Sequence, residues 1–584
     1  MATPINPERL INELPSIASP RISPDGSQIA YVRRTVNVES GKDETAIWLA
    51  GIDGSNRRQL TFASARNGNP AWSPDGSSLA FVTSRDDRTA LAILDLAAGG
   101  EARIVTTQDQ AISGIAWSPD GGSIAFASPV DPENPNEPRR DPKAPAAVRV
   151  VKRIDYKQDG LGYLNDVRNQ IFVVDVTSGT TSGEKRQLTH DTIDHVGPAW
   201  SPDGSKLAIS LPHHNTLLAG LGIIDVASAG FTRFGPDNAA IGNIRWTPDG
   251  AGILHTEGFN IQPSQAWFLY DVASGEAKQL TEEIEFSAGG EESGTPWLDA
   301  THAAFLGGSR GRTGVWTIDI ASGEITEIAI WNWLGRQADF NAGTETAVIA
   351  MTGLDGVVGL TRIDLATGAE TLLFNEATGF FSEFKPSQWE LVTIERNGYT
   401  IEGWLHKPAD FDESKKYPVV LDVHGGPHGF YGYTLDELTE TLATNDILVI
   451  KSNPRGSGSY GPAFGKAVIG DWGGEDWKDL QGILDKVLER PYADAERTGI
   501  YGYSYGGYMT SWAIGQTTRF KAAVCGAPCY DFESFFGTSD VGHIFGSQGY
   551  KQLPWENTAI TLERSPSSHI QNATTPTLVI HGEA

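Results

Sequence analysis

Apolar and polar positions alternate in two different rhythms along the chain. Up to about residue 375, short apolar runs such as Leu79-Ala80-Phe81-Val82 and Leu207-Ala208-Ile209 are bounded by polar turn sequences, which predicts short strands joined by tight turns. From Trp389 onward the apolar runs become continuous, as in Tyr417-Pro-Val-Val-Leu-Asp-Val423 and Asp446-Ile-Leu-Val-Ile-Lys451. Strands buried on both faces of a parallel sheet need that pattern. Between Trp477 and Leu488 the apolar residues fall at 477, 480, 483, 484, 487 and 488, a helical stripe. Arg497-Thr-Gly-Ile-Tyr501, Lys521-Ala-Ala-Val-Cys525 and Thr577-Leu-Val-Ile580 predict three more strands. Strands alternating with helices imply a mostly parallel sheet with crossover helices.

The first region is built from repeats. Ser-Pro-Asp-Gly begins at Ser23, Ser73, Ser118 and Ser201, and Thr247-Pro-Asp-Gly is a near copy. Trp72, Trp117, Trp200 and Trp246 each stand immediately before one of these motifs. In such a turn proline presets φ, aspartate bonds back to the backbone and glycine takes positive φ. Degenerate copies follow around Pro296-Trp297-Leu298-Asp299 and Asp339-Phe340-Asn341-Ala342-Gly343. A second repeat is independent of the first: an apolar strand ends in aspartate plus a turn at Asp53, Asp95, Asp175, Asp225, Asp271, Asp319 and Asp364. The spacing is about 45 residues, apart from one gap of 80 between Asp95 and Asp175. That period with strand-turn-strand content predicts propeller blades, seven of them, over residues 1–375. The long gap places an insertion rich in proline and charge at about 128–167. An α/β-hydrolase domain is expected over 386–584.

Composition narrows the function. A chain of 584 residues exceeds an ordinary single core, and its 66 glycines and 32 prolines are spread along it as a turn-rich β protein requires. The formal net charge of −28 argues against a nucleic-acid partner. The N-terminus has neither a basic nor an apolar leader region, and no run approaches 18 uninterrupted apolar residues, so no membrane association is expected and the chain is read as cytoplasmic. A homo-oligomer stays open. The two cysteines, Cys525 and Cys529, lack metal or redox spacing and read as small buried residues. No cofactor or metal motif is found. Gly456-Ser-Gly-Ser-Tyr-Gly461 matches a dinucleotide fingerprint in letters only, because Pro454 and Arg455 separate it from its strand and no acidic residue follows at the right distance. His190, His195, His213 and His214 read as surface or turn residues of the propeller.

Chemistry concentrates in the second region. Gly502-Tyr503-Ser504-Tyr505-Gly506-Gly507 lies between a strand and a helical run. In that setting a tight turn relieved by glycines holds the serine hydroxyl clear of the backbone, which makes Ser504 the candidate nucleophile. His424-Gly425-Gly426-Pro427 follows the strand ending at Val423. A glycine pair there turns an N–H toward the site, so Gly425 and Gly426 are candidates for one side of an oxyanion hole and the N–H of Tyr505 for the other.

With these residues, His424-Gly-Gly-Pro-His428, Asn453-Pro-Arg-Gly-Ser-Gly-Ser-Tyr-Gly461, Gly470-Asp-Trp-Gly-Gly474 and Gly502-Tyr-Ser-Tyr-Gly-Gly-Tyr-Met509, the chain resembles the prolyl oligopeptidase family (peptidase S9), most closely its acylaminoacyl-peptidase and dipeptidyl-peptidase-like branch. Arg153-Ile-Asp-Tyr-Lys-Gln-Asp-Gly-Leu-Gly-Tyr163 and the propeller turns resemble the same branch. The resemblance implies a serine peptidase on short peptides, releasing units from the N-terminal end in a cavity between propeller and hydrolase. It also implies Ser504 as nucleophile, Tyr505 and Gly426 as oxyanion donors, and no cofactor. The family's acid follows a His-Gly-x-x-Asp strand end and its histidine comes later still, whereas this chain ends at His581-Gly582-Glu583-Ala584. His543, His569 and His581 sit in no pattern expected of the base. The chain is therefore read as C-terminally truncated, lacking the triad's Asp and His, and is expected to be inactive and poorly soluble as written. Two other readings stay open: an esterase on the same fold, and a non-catalytic protein using the propeller as a binding platform. The acidic pairs Glu282-Glu283 and Glu291-Glu292 are candidates for holding a substrate's free amino terminus.

Overall fold

The computed structural model describes residues 4–582 except 63–65, 86–87, 98, 132–149, 165–166, 177–184, 214–217, 260–264, 289 and 552. The charged centre of the predicted insertion therefore lies outside the described residues.

Seven antiparallel units of four strands follow one another from Ser16 to Asn375. The fourth and fifth share the long strand Phe231–Trp246, and the seventh takes an extra strand, Glu291–Thr295, in parallel with Leu334–Asn341. Strand periodicity explains how they join. Leu79 and Phe81 face the first blade, while Ala80 between them faces the third. One apolar core thus lies between each adjacent pair of blades. The last of them closes the ring, packing Ile22, Ile29 and Tyr31 against Val348, Leu360 and Phe374. Closure is reinforced by Asp339 accepting from Ile22 N–H (2.7 Å) and by Asn341 Nδ2 donating to Ser23 O (3.0 Å).

The repeated motif does two structural jobs. Within the turn, Ser23 Oγ donates to Asp25 (2.5 Å) and accepts from Gln28 N–H (2.9 Å), and the same pair of bonds recurs at Ser73, Ser118, Ser201 and Thr247. The motif glycines Gly26, Gly76, Gly121, Gly204 and Gly250 all have positive φ. The preceding tryptophan reaches back one blade: Trp72, Trp117, Trp200 and Trp246 donate Nε1–H to the carbonyls of Arg21, Ala71, Ala116 and Ala199 at 2.9–3.1 Å. Trp297 does the same to Trp246.

His195 departs from its expected surface position. It is fully buried, its Nε2 lies 2.8 Å from Asp191, its backbone N–H donates to Asn169 O, and its ring meets Phe231 edge-on. A single polar letter in a turn segment gives no sign of such a blade-edge anchor. His190 is exposed. Cys525 and Cys529 are both buried.

The second region folds around a seven-stranded mixed sheet. Its order is Gln388–Arg396, Tyr399–Lys407, Leu448–Asn453, Tyr417–Val423, Ala493–Tyr503, Ala522–Gly526 and Thr577–Ile580. The first two form an antiparallel hairpin that sequence periodicity did not separate from the parallel strands, and the last five run parallel. The predicted helical stripe forms Glu475–Leu488, burying Trp477, Leu480, Ile483, Leu484 and Val487 on the sheet. The edge strand Thr577–Ile580 leaves Leu578 and Val579 about 60% exposed. Among the described residues, no helix is long and apolar enough to cross a membrane.

The two regions meet at a tight seam. Ser459, a non-glycine residue at φ 74°, receives Arg310 N–H on its carbonyl (2.6 Å) and Gly311 N–H on its hydroxyl (3.0 Å), and donates its own N–H to Ser287 Oγ (3.1 Å). Arg310 also pairs with Glu402, and Lys466 pairs with Glu283 at 2.5 Å. Opposite Arg310, Gly311 (φ 71°) and Gly432 approach so closely that a Cβ on either would strike the other's backbone.

Candidate active site

The strand Ala493–Tyr503 and the helix Tyr505–Gln516 are joined by one residue, Ser504, with φ 62° and ψ −118°. A non-glycine residue held there is strained, and the surroundings impose it. A Cβ on Gly502 would strike the backbone of Gly506, one on Gly506 would strike Val423 O, and one on Gly507 would strike Gly526 O. The glycines thus let the helix start lie directly on the two neighbouring strand ends. Ser504 N–H donates to Gly526 O (3.0 Å), and Tyr508 N–H returns to Ser504 O (2.9 Å). The N–H groups of Tyr505 and Gly506 have no intrahelical acceptor, as at any helix start, so they and the helix dipole favour negative charge beside the hydroxyl.

Gly425 faces this turn from the adjacent strand end. A Cβ on Gly425 would lie 3.4 Å from Tyr503 O, 3.5 Å from Ser504 Cβ and 4.0 Å from Oγ, so the glycine packs against the turn within van der Waals reach of the hydroxyl. Gly426 has φ 130°, which only glycine adopts readily. The structure therefore brings Ser504, Tyr505, Gly425 and Gly426 into one turn cluster.

The loop carrying these glycines is held by the segment that mimics a dinucleotide fingerprint. His424 Nδ1 lies 2.8 Å from Gly425 O, and its Nε2 lies 2.9 Å from Ser457 Oγ. Burial pushes His424 down to about 4, so the ring is neutral near pH 7 and fixes the loop without charge. His428 Nδ1–H donates to Gly456 O (2.8 Å), and Asn453 brackets Tyr431, accepting its N–H (2.7 Å) and donating to its O (2.9 Å). Below the loop Tyr431 Oη donates to Asp422 (2.7 Å), whose carboxyl burial raises to about 6.

Among the described residues, no imidazole or carboxylate hydrogen-bonds to Ser504 Oγ. His569 Nε2 meets Glu563 O, and its ring packs on Trp512 behind the nucleophile helix. His581 Nδ1 meets Gly582 O. Three members of the acidic pairs have partners elsewhere, Glu283 with Lys466, Glu291 with Gln337, and Glu292 with Arg245 and Leu306 N–H, and Glu282 and Glu291 are exposed. The buried polar partners of the loop, Ser457, Asn453 and Tyr431, escaped sequence reasoning. They lie in segments whose letters show glycine and turn character but not pairing.

A profile of the prolyl oligopeptidase family matches residues 433–584, and one of the TolB beta propeller domain matches residues 4–132. The uncharacterized peptidase YuxL of Bacillus subtilis is 32% identical over 98% of this chain and 90% of its own length. Dipeptidyl-peptidase 5 of Porphyromonas gingivalis is 24% identical over 99% of this chain and 87% of its own. In fold, the chain is similar to the acylaminoacyl peptidase of Pyrococcus horikoshii, with a TM-score of 0.82 at 22% identity over 98% of this chain and 87% of that one. The propeller, the strained strand-to-helix turn at Ser504 and the near full-length similarity to a curated peptidase lead to one conclusion: the chain belongs to the prolyl oligopeptidase family (peptidase S9) of serine peptidases.

Proposed function

We propose that the protein cleaves short peptides from their N-terminal side through an acyl-enzyme formed on Ser504. The observation that carries this reading is the turn at Ser504, with its strained φ, its free helix-start N–H groups and Gly425 packed beside Oγ. In the reaction Ser504 Oγ attacks the scissile carbonyl carbon. The N–H groups of Tyr505 and Gly426 receive the oxygen as it becomes an oxyanion, the C–N bond breaks, and the amine departs with a proton. Water then hydrolyses the ester and restores the hydroxyl. The related dipeptidyl-peptidase 5 and acylaminoacyl peptidase support the N-terminal direction of cleavage. The propeller stacked on the hydrolase limits access to small substrates.

The proton leaving Ser504 needs a base, and none touches Oγ among the described residues. Acylation then rests on the oxyanion N–H groups, the helix start and binding, which by themselves leave roughly 10³–10⁴-fold over water. Expected behaviour is at most that residual cleavage of aminoacyl- and acylaminoacyl-p-nitroanilides by the purified chain, together with a slow fluorophosphonate adduct on Ser504 that Ser504→Ala abolishes. A folded chain that forms its adduct on a different serine would overturn the assignment of Ser504. Cleavage of short acyl esters with the anilides untouched would favour an esterase. No reaction with either substrate and no adduct at Ser504 would favour the non-catalytic platform, a reading supported by an Oγ without a hydrogen-bond partner among the described residues.

A further inference from the structure

The segment Gly470-Asp-Trp-Gly-Gly474 has no part in the chemistry above, and it delivers Asp476 to the back of the nucleophile turn. Asp476 is 1% exposed, and no lysine, arginine or histidine pairs with it among the described residues. A buried carboxylate without a cation is costly unless several donors hold it. Three do. Oδ1 accepts Trp477 N–H (2.7 Å), while Oδ2 accepts Gly473 N–H (3.1 Å) and the phenol of Tyr505. The first two bonds only fold the carboxylate onto its own segment. The third crosses to the residue that follows Ser504.

The nucleophile turn has few side chains to hold it. Gly502, Gly506 and Gly507 have none, and the ring of Tyr503 is 53% exposed. Tyr505 is 1% exposed, its ring edge-on to the buried Trp472 at 5.1 Å, and Asp476 is the hydrogen-bond partner of its phenol. Glycines give the backbone freedom that the strained turn does not want. Within Gly502–Gly507 the one fully buried side chain is that of Tyr505, which pins the turn on the nucleophile side of Tyr508, and Asp476 holds the pin.

We propose that Asp476 is a positioning residue for the nucleophile: through the Tyr505 phenol it fixes the first turn of the helix Tyr505–Gln516, and with it the directions of Ser504 Oγ and the Tyr505 N–H. This rests on the reading of Ser504 as nucleophile and Tyr505 as oxyanion donor. Asp476 does not touch the reacting atoms.

The test uses Tyr505→Phe, Asp476→Asn and the double variant in the full chain. Tyr505→Phe keeps the ring and its packing and removes only the bond to Asp476. Amide exchange read by mass spectrometry reports on Ser504 N–H and Tyr508 N–H, the two backbone bonds that close the turn. Each single variant should raise their exchange about ten-fold at unchanged protection of the strand Ala493–Tyr503, and the double variant should add little. Fluorophosphonate labelling supplies the second readout, with the maximal inactivation rate falling and the half-saturating probe concentration unchanged. Exchange unchanged in Tyr505→Phe but raised in Asp476→Asn would show that Asp476 serves its own segment alone, and would overturn the proposal. So would additive effects in the double variant, or no effect in either single one. If the unmodified chain takes up no probe at Ser504, the nucleophile reading fails, while the exchange result still decides whether Asp476 pins the turn.

Discussion

At Gly506 one added methyl group would strike Val423 O and come within 3.1 Å of His424 O, both backbone atoms that cannot step aside. Gly506→Ala should therefore lower stability by at least about 2 kcal/mol, measured by denaturant unfolding, and should displace Ser504. Glu440 gives stability a pH dependence of its own. Glu440 is buried and accepts the N–H (2.7 Å) and Oγ–H (2.6 Å) of Ser387, and burial raises its carboxyl to about 7. Its folded pKa lies above the unfolded value, so the native state binds the extra proton. The stability this gives is fully present at acid pH and is lost as pH rises through about 7. Relative to Glu440→Gln, the unmodified protein should lose up to about 3 kcal/mol between pH 4.5 and 8, and a flat difference would contradict the assignment. The strand-to-helix turn at Ser504 was legible in the sequence, because a glycine-flanked serine after a strand is a local pattern. Ser457, Asn453 and Asp476 were not, since their partners lie tens of residues away and one carboxylate among many carries no sign of what it faces.

At five junctions a blade holds to its neighbour through an apolar core and one indole hydrogen bond. Trp117 makes that bond to Ala71 O at 3.1 Å, and its ring also packs in the core between the second and third blades. Trp117→Phe retains much of the packing and loses the bond, leaving a carbonyl without its donor. The expected loss is about 1 kcal/mol, read as a lowered unfolding midpoint. These elements were the most legible part of the chain, because the strand period, the turn chemistry and the tryptophan recur together. Where repetition stopped, legibility stopped with it. The hairpin Gln388–Arg396 and Tyr399–Lys407 precedes the parallel strands without a helix between them, and its apolar pattern alone does not give its direction. His195 likewise reads as one polar letter in a turn, yet it is buried against Asn169 and Asp191.

Across the whole molecule, the propeller does more than stand over the hydrolase. Ser287, Arg310 and Gly311 satisfy the N–H, carbonyl and hydroxyl of Ser459. The neighbouring Gly458 N–H reaches His428 O and Gly429 O at 3.3 Å, and Ser457 meets His424. A contact path therefore runs from a propeller hairpin to the glycines facing Ser504. None of it could be read from sequence, since it depends on how two separately patterned regions dock. Every level of the structure converges on the hydroxyl of Ser504, and peptide mapping after exposure to a fluorophosphonate tests that most directly. The account predicts a single phosphonyl adduct on the peptide containing Ser504, slow to form and absent from Ser504→Ala. An adduct on another serine, or none on the folded protein after prolonged exposure, would contradict it.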